Sequence, residues 1–381
     1  MKPSMKNVAD QKSWVMKNNS VELAVTQLGG HMAPVTFYRD SKSPLQPYYI
    51  GHWHGQKIQI DEPVLRPLRG DFLCLPFAGG MWKGKHYIAH GQCASQPWTF
   101  ADLQRDGAVT QLSLAMNMTQ PKGRITKTLS IVDGHNVVYS QHLLEGFRGR
   151  YPLSHHATLR MPETQRRINL STAPFALGCT MPARVGNPLV GEYDSIQPGQ
   201  TFEDLAKVPT LFKDQPFDDL TSAPRMRGYV DVLGVFHPPS RQPAWTAAVF
   251  LDEGFAWFSF KDPAMLPCLS MWFENHGRWN VPWHGRNNCL GLEDGACFLP
   301  AGMGPSLGEN PASRIGIPTS VDLSPKTPTA VNYIQGVVKV PKGFDRVRDV
   351  QFGDGGATFF GDGGKKAFAP VNYEFLSTGL L

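Results

Sequence analysis

The chain has 381 residues, 41% hydrophobic and only 18% charged, a balance that calls for a large buried core and excludes a disordered chain. A formal net charge of +5 is modest for this length, and no Lys/Arg run or basic helix marks the protein for nucleic acid. No apolar run approaches the ~20 residues that cross a bilayer, and the N-terminus lacks the apolar stretch of a signal peptide, so the expectation is a soluble cytoplasmic protein with no membrane partner.

The 38 glycines and 32 prolines are scattered through sequence rich in Val, Thr, Phe and Trp, which predicts many strands joined by many turns. Residues 1–20 are polar and read as a lead-in or edge segment. Strands are predicted at 21–28 and around 35–38, joined by Gly29-Gly30-His31. Residues 39–68 carry Pro44, Pro47, Pro63 and Pro67 with His52-Trp53-His54, the chemistry of a long loop that covers a site. His52 and His54 have no third ligand at suggestive spacing, so no metal site is expected.

A buried strand at 72–75 follows Arg69-Gly70-Asp71 and ends in Pro76 and a glycine-rich turn; His90-Gly91 and Pro97-Trp98 come next. A glycine after His90 lets a neighbouring chain or ligand approach closely. A meander is predicted at 109–116, 124–132 and 137–144, and then a strand at 151–161 that carries His155 and His156. Adjacent histidines on a strand point to opposite faces, so one can face a concave surface while the other packs. Residues 180–225 are irregular and Pro-rich, an excursion from the main sheet with a helical turn expected at 202–206.

Strands resume at 228–236, 244–251 and 255–260. Trp272, Trp279 and Trp283 then fall within twelve residues beside Asn, His and Arg, and flat aromatic faces next to planar polar groups suit a sugar. The 288–298 stretch reads as a strand, an Asp294-Gly295 turn and a return, with Glu293 at the strand's end. A carboxylate at an apolar rim loses hydration, which raises its pKa toward the range where a general base works best. Beta-rich sequence follows at 314–323 and 329–340, and Asp354-Gly355-Gly356 and Asp362-Gly363-Gly364 read as closing turns. The six cysteines lie among apolar residues without a CxxC pair, as buried free thiols would. The fold expected is all-β, a large antiparallel two-sheet sandwich occupying 1–381 as one domain.

Taken in order, four of these pieces resemble the aldose 1-epimerase (galactose mutarotase-like) superfamily, especially its hexose-phosphate epimerase-like branch. They are Arg69-Gly70-Asp71-Phe72-Leu73 with Cys74-Leu75-Pro76, His90-Gly91 with Pro97-Trp98, His156-Ala157-Thr158-Leu159 with His155 one position away, and Leu292-Glu293-Asp294. The patches run from Arg69 to Glu293. Ala94 stands where that branch has an arginine, and Asp294 where it has a proline.

The resemblance implies a β-sandwich of the mutarotase type whose concave face holds an aldose, free or phosphorylated or otherwise anionic, and interconverts its α and β anomers without a cofactor or metal. It implies Glu293 as base, His156 as acid and His90 as the group polarising the ring oxygen or a neighbouring hydroxyl. Arg69, His155 and Trp98 would join Trp272, Trp279 and Trp283 in binding the sugar. The competing expectation is a non-catalytic carbohydrate-binding protein on the same fold. A glycoside hydrolase or lyase, drawing a second carboxylate from Asp71, Glu274 or Asp294, ranks below both.

Overall fold

Alternating apolar residues assemble two large antiparallel sheets, seen in a computed structural model that describes residues 5–353 and 355–381. One sheet has nine strands, in the order Ser222–Ala223, Ile168–Thr172, Ala244–Phe250, Phe255–Lys261, Thr329–Lys339, Val137–Glu145, Lys122–Val132, Val109–Thr119 and Thr99–Asp106. The other has eight, running Thr201–Phe202, Leu177–Thr180, Tyr229–Phe236, Cys268–Asn275, Asn288–Ala296, Leu153–His155 and Leu73–Cys74, with Ala157–Arg160 also paired to Asn288–Ala296.

Side chains on a strand point alternately to its two faces. In the eight-stranded sheet Leu269, Met271, Leu290, Leu292, Ala157 and Leu159 point inward. They meet Leu114, Leu129, Trp257, Tyr333 and Val337 of the nine-stranded sheet in one buried core. The residues between them point the other way: Cys268, Trp272, Cys289 and Val232 belong to a second apolar cluster on the outer face. The nine-stranded sheet also has an apolar outer face, with Val249, Phe258, Phe260 and Ile334. A C-terminal three-stranded sheet, Asp349–Gly353, Gly356–Phe360 and Lys366–Pro370, covers it through Val350, Ala357 and Phe359. Near-continuous apolar runs such as 244–250 and 255–260 follow from this covering, since both faces of those strands are buried.

Several local expectations are corrected. Residues 5–17 are the edge segment rather than a lead-in: Met5–Val8 is the edge strand and Gln11–Lys17 the next of a four-stranded meander, in which Trp14 and Met16 alternate into the main core. Asp294-Gly295 makes no turn. The Asn288–Ala296 strand runs through it, and Asp294 is held inside the sandwich by Lys261 at 2.6 Å and by the Ser259 and Tyr333 hydroxyls. The helical turn expected at 202–206 is a short strand followed by a turn in which the Asp204 carboxylate accepts from the Ala206 N–H. Pro311–Arg314 is a short helix closed by an Asn310–Ser313 capping box, which leaves only Val321–Leu323 extended in the 314–323 stretch. The strand expected at 151–161 is broken at Pro152 and His156 into three pieces.

Of the two Asp-Gly-Gly stretches, Asp354 lies outside the described residues, while Asp362–Gly364 forms a single 3-10 turn. Among the described residues no helix is long and apolar enough to cross a membrane.

Candidate active site

The outer face of the eight-stranded sheet holds a cavity of about 300 Å³. Its floor is built from register. Ser270 pairs with Glu293 and Trp272 with Gly291, which places the Trp272 and Glu293 side chains on the same face of adjoining strands. Ala157 pairs with Leu292 on the other side of the Asn288–Ala296 strand, so His156 shares that face as well. His156 Nε2 lies 3.3 Å from Glu293 Oε1. Gly291 is required here, since a Cβ at that position would lie 2.7 Å from Glu293 Oε1 and 3.0 Å from the Trp272 Cβ.

Two rings set the orientation of His156. Its imidazole stacks on Phe72 at 4.5 Å, and Phe72 stacks in turn on His31 at 3.8 Å. His90 meets the His156 ring edge-on at 5.1 Å. His90 has a left-handed backbone (φ 58), followed by Gly91 (φ 78), where any side chain would strike the Leu75 carbonyl at 2.0 Å. The glycine after His90 is therefore required by the close approach of the Leu75–Pro76 backbone. The His156 N–H points to Asp71 Oδ1 at 3.1 Å and to the Phe72 carbonyl at 2.9 Å, which fixes the break in the strand.

The rest of the wall comes from loops. The 39–68 loop contributes Glu62, Val64, Leu65 and Leu68, and the 180–225 excursion contributes Met181 and Val185. Arg278 and Trp283 close the side next to Trp272. Phe72, Glu62, Arg278 and the loop residues were absent from the sequence-derived set. Phe72 sits inside the Arg69–Pro76 segment, and Arg278 sits within the tryptophan-rich run, so both lay beside the signals used.

The expected residues divide into two groups. Glu293, His156, His90, Trp272 and Trp283 line the cavity together. Arg69, His155, Trp98 and Trp279 do not line it. Arg69 turns away: its guanidinium donates to the carbonyls of Pro67, Val8 and Ala9, serving as a buried tie to the N-terminal meander. Burial lowers its pKa to about 10. His155 faces the inter-sheet core, with Nδ1 2.9 Å from Asp71 Oδ2 and its ring stacked on Tyr333 at 4.0 Å. Trp98 is buried in the main core, where its indole N–H donates to the Cys93 carbonyl at 2.8 Å. Trp279 stands on the surface, 54% exposed.

The carboxylates available for hydrolysis are also placed elsewhere. Asp71 and Asp294 lie in the interior, and Glu274 Oε1 caps the following turn by accepting from the Gly277 and Arg278 N–H groups.

Burial dominates the electrostatics of the cavity. It pushes Glu293 well above the usual carboxylate range, aided by Cys268 nearby, and holds His156 well below the usual histidine value, with His90 adding to the effect. His90 itself is lowered to about 4 by burial alone. Both directions favour a pair that carries a single proton between a neutral imidazole and a carboxyl. That is a compact acid–base couple in an apolar setting. Among the described residues no cluster of three or more His, Cys, Asp or Glu gathers as a metal site.

The fold matches known structures. A galactose mutarotase-like protein from Clostridium acetobutylicum superimposes with a TM-score of 0.57 at 9% identity, over 88% of this chain and 97% of that one. A candidate aldose 1-epimerase from Escherichia coli K12 gives 0.55 at 13% identity, covering 87% and 100%. A galactose mutarotase related enzyme from Lactobacillus acidophilus gives 0.52 at 10%, covering 85% and 97%. The chain thus has the galactose mutarotase-like β-sandwich fold. No family model matches it, and no curated protein matches it by sequence.

Proposed function

We propose that this protein is an aldose 1-epimerase-like isomerase, acting as one domain, that interconverts the α and β anomers of an aldose by acid–base ring opening. The observation that carries this reading is the 3.3 Å contact between Glu293 and His156 in a buried, aromatic-walled cavity. Ring opening needs a base to take the proton from the C1 hydroxyl and an acid to protonate the ring oxygen. A pair holding one proton supplies both. Burial favours that proton on Glu293 in the resting pair; its passage to His156 leaves the Glu293 carboxylate to accept from O1–H while His156 donates to the ring oxygen. Rotation about C1–C2 and closure reverse the transfers. His90 packs against His156 and polarises a hydroxyl, while Trp272 and Trp283 flank the sugar.

Each positioned acid or base is typically worth ~10²–10⁴-fold, which suffices for a reaction that already proceeds in water. The cation lining the cavity is Arg278, so a hydroxyl or an anionic substituent of the sugar is assigned to it rather than to Arg69. The six cysteines are all free and buried, which suits a reducing, cytoplasmic setting.

The test is anomer exchange measured by NMR with free, phosphorylated and sulfated aldoses, for wild type and Glu293→Gln. Exchange accelerated for one sugar and lost in the variant supports the isomerase and identifies its substrate class. Sugars that bind while exchange stays at the uncatalysed rate would make the protein a carbohydrate-binding module instead.

A further inference from the structure

Trp279 is set into the surface beside the cavity rather than in it, and its surroundings are constructed. Its indole lies against two glycine backbones. A Cβ at Gly285 (φ 63) would fall 2.9 Å from the six-membered ring, and one at Gly191 (φ 83) would fall 3.8 Å from Cδ1. Both positions favour glycine by their backbone, so neither sets a side chain against the ring.

The loops that carry these glycines are tied together by Glu192, a carboxylate only 2% exposed. It accepts from the Trp279 backbone N–H at 2.9 Å through Oε1 and faces the Asn187 backbone N–H through Oε2. The result is a held, half-open aromatic plate. It stands on the loop that supplies Arg278 and Trp283 to the cavity wall, a loop closed by the Gly285 N–H donating to the Arg278 carbonyl at 2.8 Å.

Cavity size makes this placement informative. About 300 Å³ lies at the lower end of the ~300–1,000 Å³ typical of small-molecule sites. It accommodates one sugar ring, and a second ring linked to it must lie outside, over the rim. Sugars present an apolar face that packs on an open indole, with polar groups at the edge to take the hydroxyls.

We propose that Trp279 is a second sugar subsite, and that the substrate is the reducing end of a disaccharide or longer oligosaccharide. This rests on the isomerase reading of the cavity, where the reducing ring sits on Glu293 and His156. The next ring stacks on Trp279, with Arg278 between the two positions.

The test compares anomer exchange on glucose with maltose and cellobiose, and on galactose with a 1→4 disaccharide whose reducing-end unit is galactose. Wild type, Trp279→Ala and Trp279→Phe are each measured. The expected result is a higher kcat/KM on a disaccharide than on its monosaccharide. That gain falls on the order of tenfold in Trp279→Ala, the scale of one aromatic contact, and is largely restored in Trp279→Phe. Rates on the monosaccharide should stay within about twofold, since Trp279 is outside the first position.

Equal rates on mono- and disaccharides, or an equal loss on both in Trp279→Ala, would overturn the subsite while leaving the isomerase intact. If wild type accelerates no sugar, the isomerase reading fails on its own. Calorimetric titration of the same sugars then decides the subsite: tighter disaccharide binding that Trp279→Ala abolishes upholds it, and no difference rejects it.

Discussion

Glu293 and Asp294 are consecutive carboxylates on one strand, and the two faces of the sandwich treat them differently. Asp294 points inward and is held by an ion pair to Lys261 and by two hydroxyls, from Ser259 and Tyr333. Glu293 points outward into the cavity, where a histidine is the only ion-pairing partner among the described residues and the walls are largely apolar. Both are almost completely buried. Burial therefore does not distinguish a structural carboxylate from a reactive one; the supply of partners does. A carboxylate surrounded by donors is held as part of the structure, while one short of donors holds its proton more tightly and can pass it on.

Replacing the two residues should separate these roles. Glu293→Gln keeps the shape of the side chain and removes its proton chemistry. It should lower anomer exchange ~10²–10⁴-fold while leaving the denaturation midpoint unchanged or slightly higher, because a buried carboxyl with one ionisable partner adds little to stability. On the other face, Lys261→Met strands the Asp294 charge inside the sandwich. That should cost ~3–5 kcal/mol in urea unfolding, and the double change Lys261→Met with Asp294→Leu should recover most of it. If Lys261→Met unfolds no more easily than wild type, the contrast between the two faces is wrong.

This contrast also marks how far the sequence could be read. The meander strands at Val109–Thr119, Lys122–Val132 and Val137–Glu145 were legible because alternation and turn residues are local. Glu293 was singled out, yet for a turn that does not exist. Asp294-Gly295 looks like a turn until Lys261 arrives from another strand to neutralise the aspartate inside the core. The sugar-binding role that the resemblance implies for Arg69 fails in the same way: the carbonyls of Val8 and Ala9 that occupy its guanidinium lie some sixty residues earlier. His155 and His156 were separable in principle by period 2. Choosing between them required knowing that Ala157 and Leu159 face the core, which pairing with the Asn288–Ala296 strand settles. Long-range partners, rather than local propensity, are what the sequence conceals.

The pH response sharpens the picture of the cavity face. Burial lowers His156 and raises Glu293, so the one-proton state of the pair spans the interval between a depressed histidine and an elevated carboxyl. The rate should stay flat as pH falls through 6.5 and should decline on the alkaline side as Glu293 loses its proton. A loss of kcat on the acid side centred near 6.5 would mean that His156 is solvated and free of the pair. Stability follows the same burial with its own sign. His31, His90, His142, His156 and His237 all have folded pKa values below the ordinary one. Their contribution is fully present above about 6.5 and is lost as pH falls through the folded values, about 4 for His90. Unfolding midpoints should therefore drop between pH 6.5 and 4, a range in which the rate is still flat.

The smallest expected effect concerns Trp272, the aromatic wall beside Glu293. Its indole Nε1 is buried and has no hydrogen-bond partner among the described residues, although Trp98 and Trp53 both donate to backbone carbonyls. A buried N–H left unpaired costs stability, whereas one hydrogen bond returned on binding is worth only ~0.5–1.5 kcal/mol net. Trp272→Phe removes the N–H and keeps most of the ring. It should raise KM for the sugar roughly two- to tenfold, with kcat little changed because Glu293 and His156 are untouched. The same variant should unfold at equal or slightly higher denaturant, since nothing polar is stranded. A stability loss without a change in KM would assign Trp272 to packing alone. Opposite signs for affinity and stability would mark a group left unsatisfied in the fold so that the sugar can complete it.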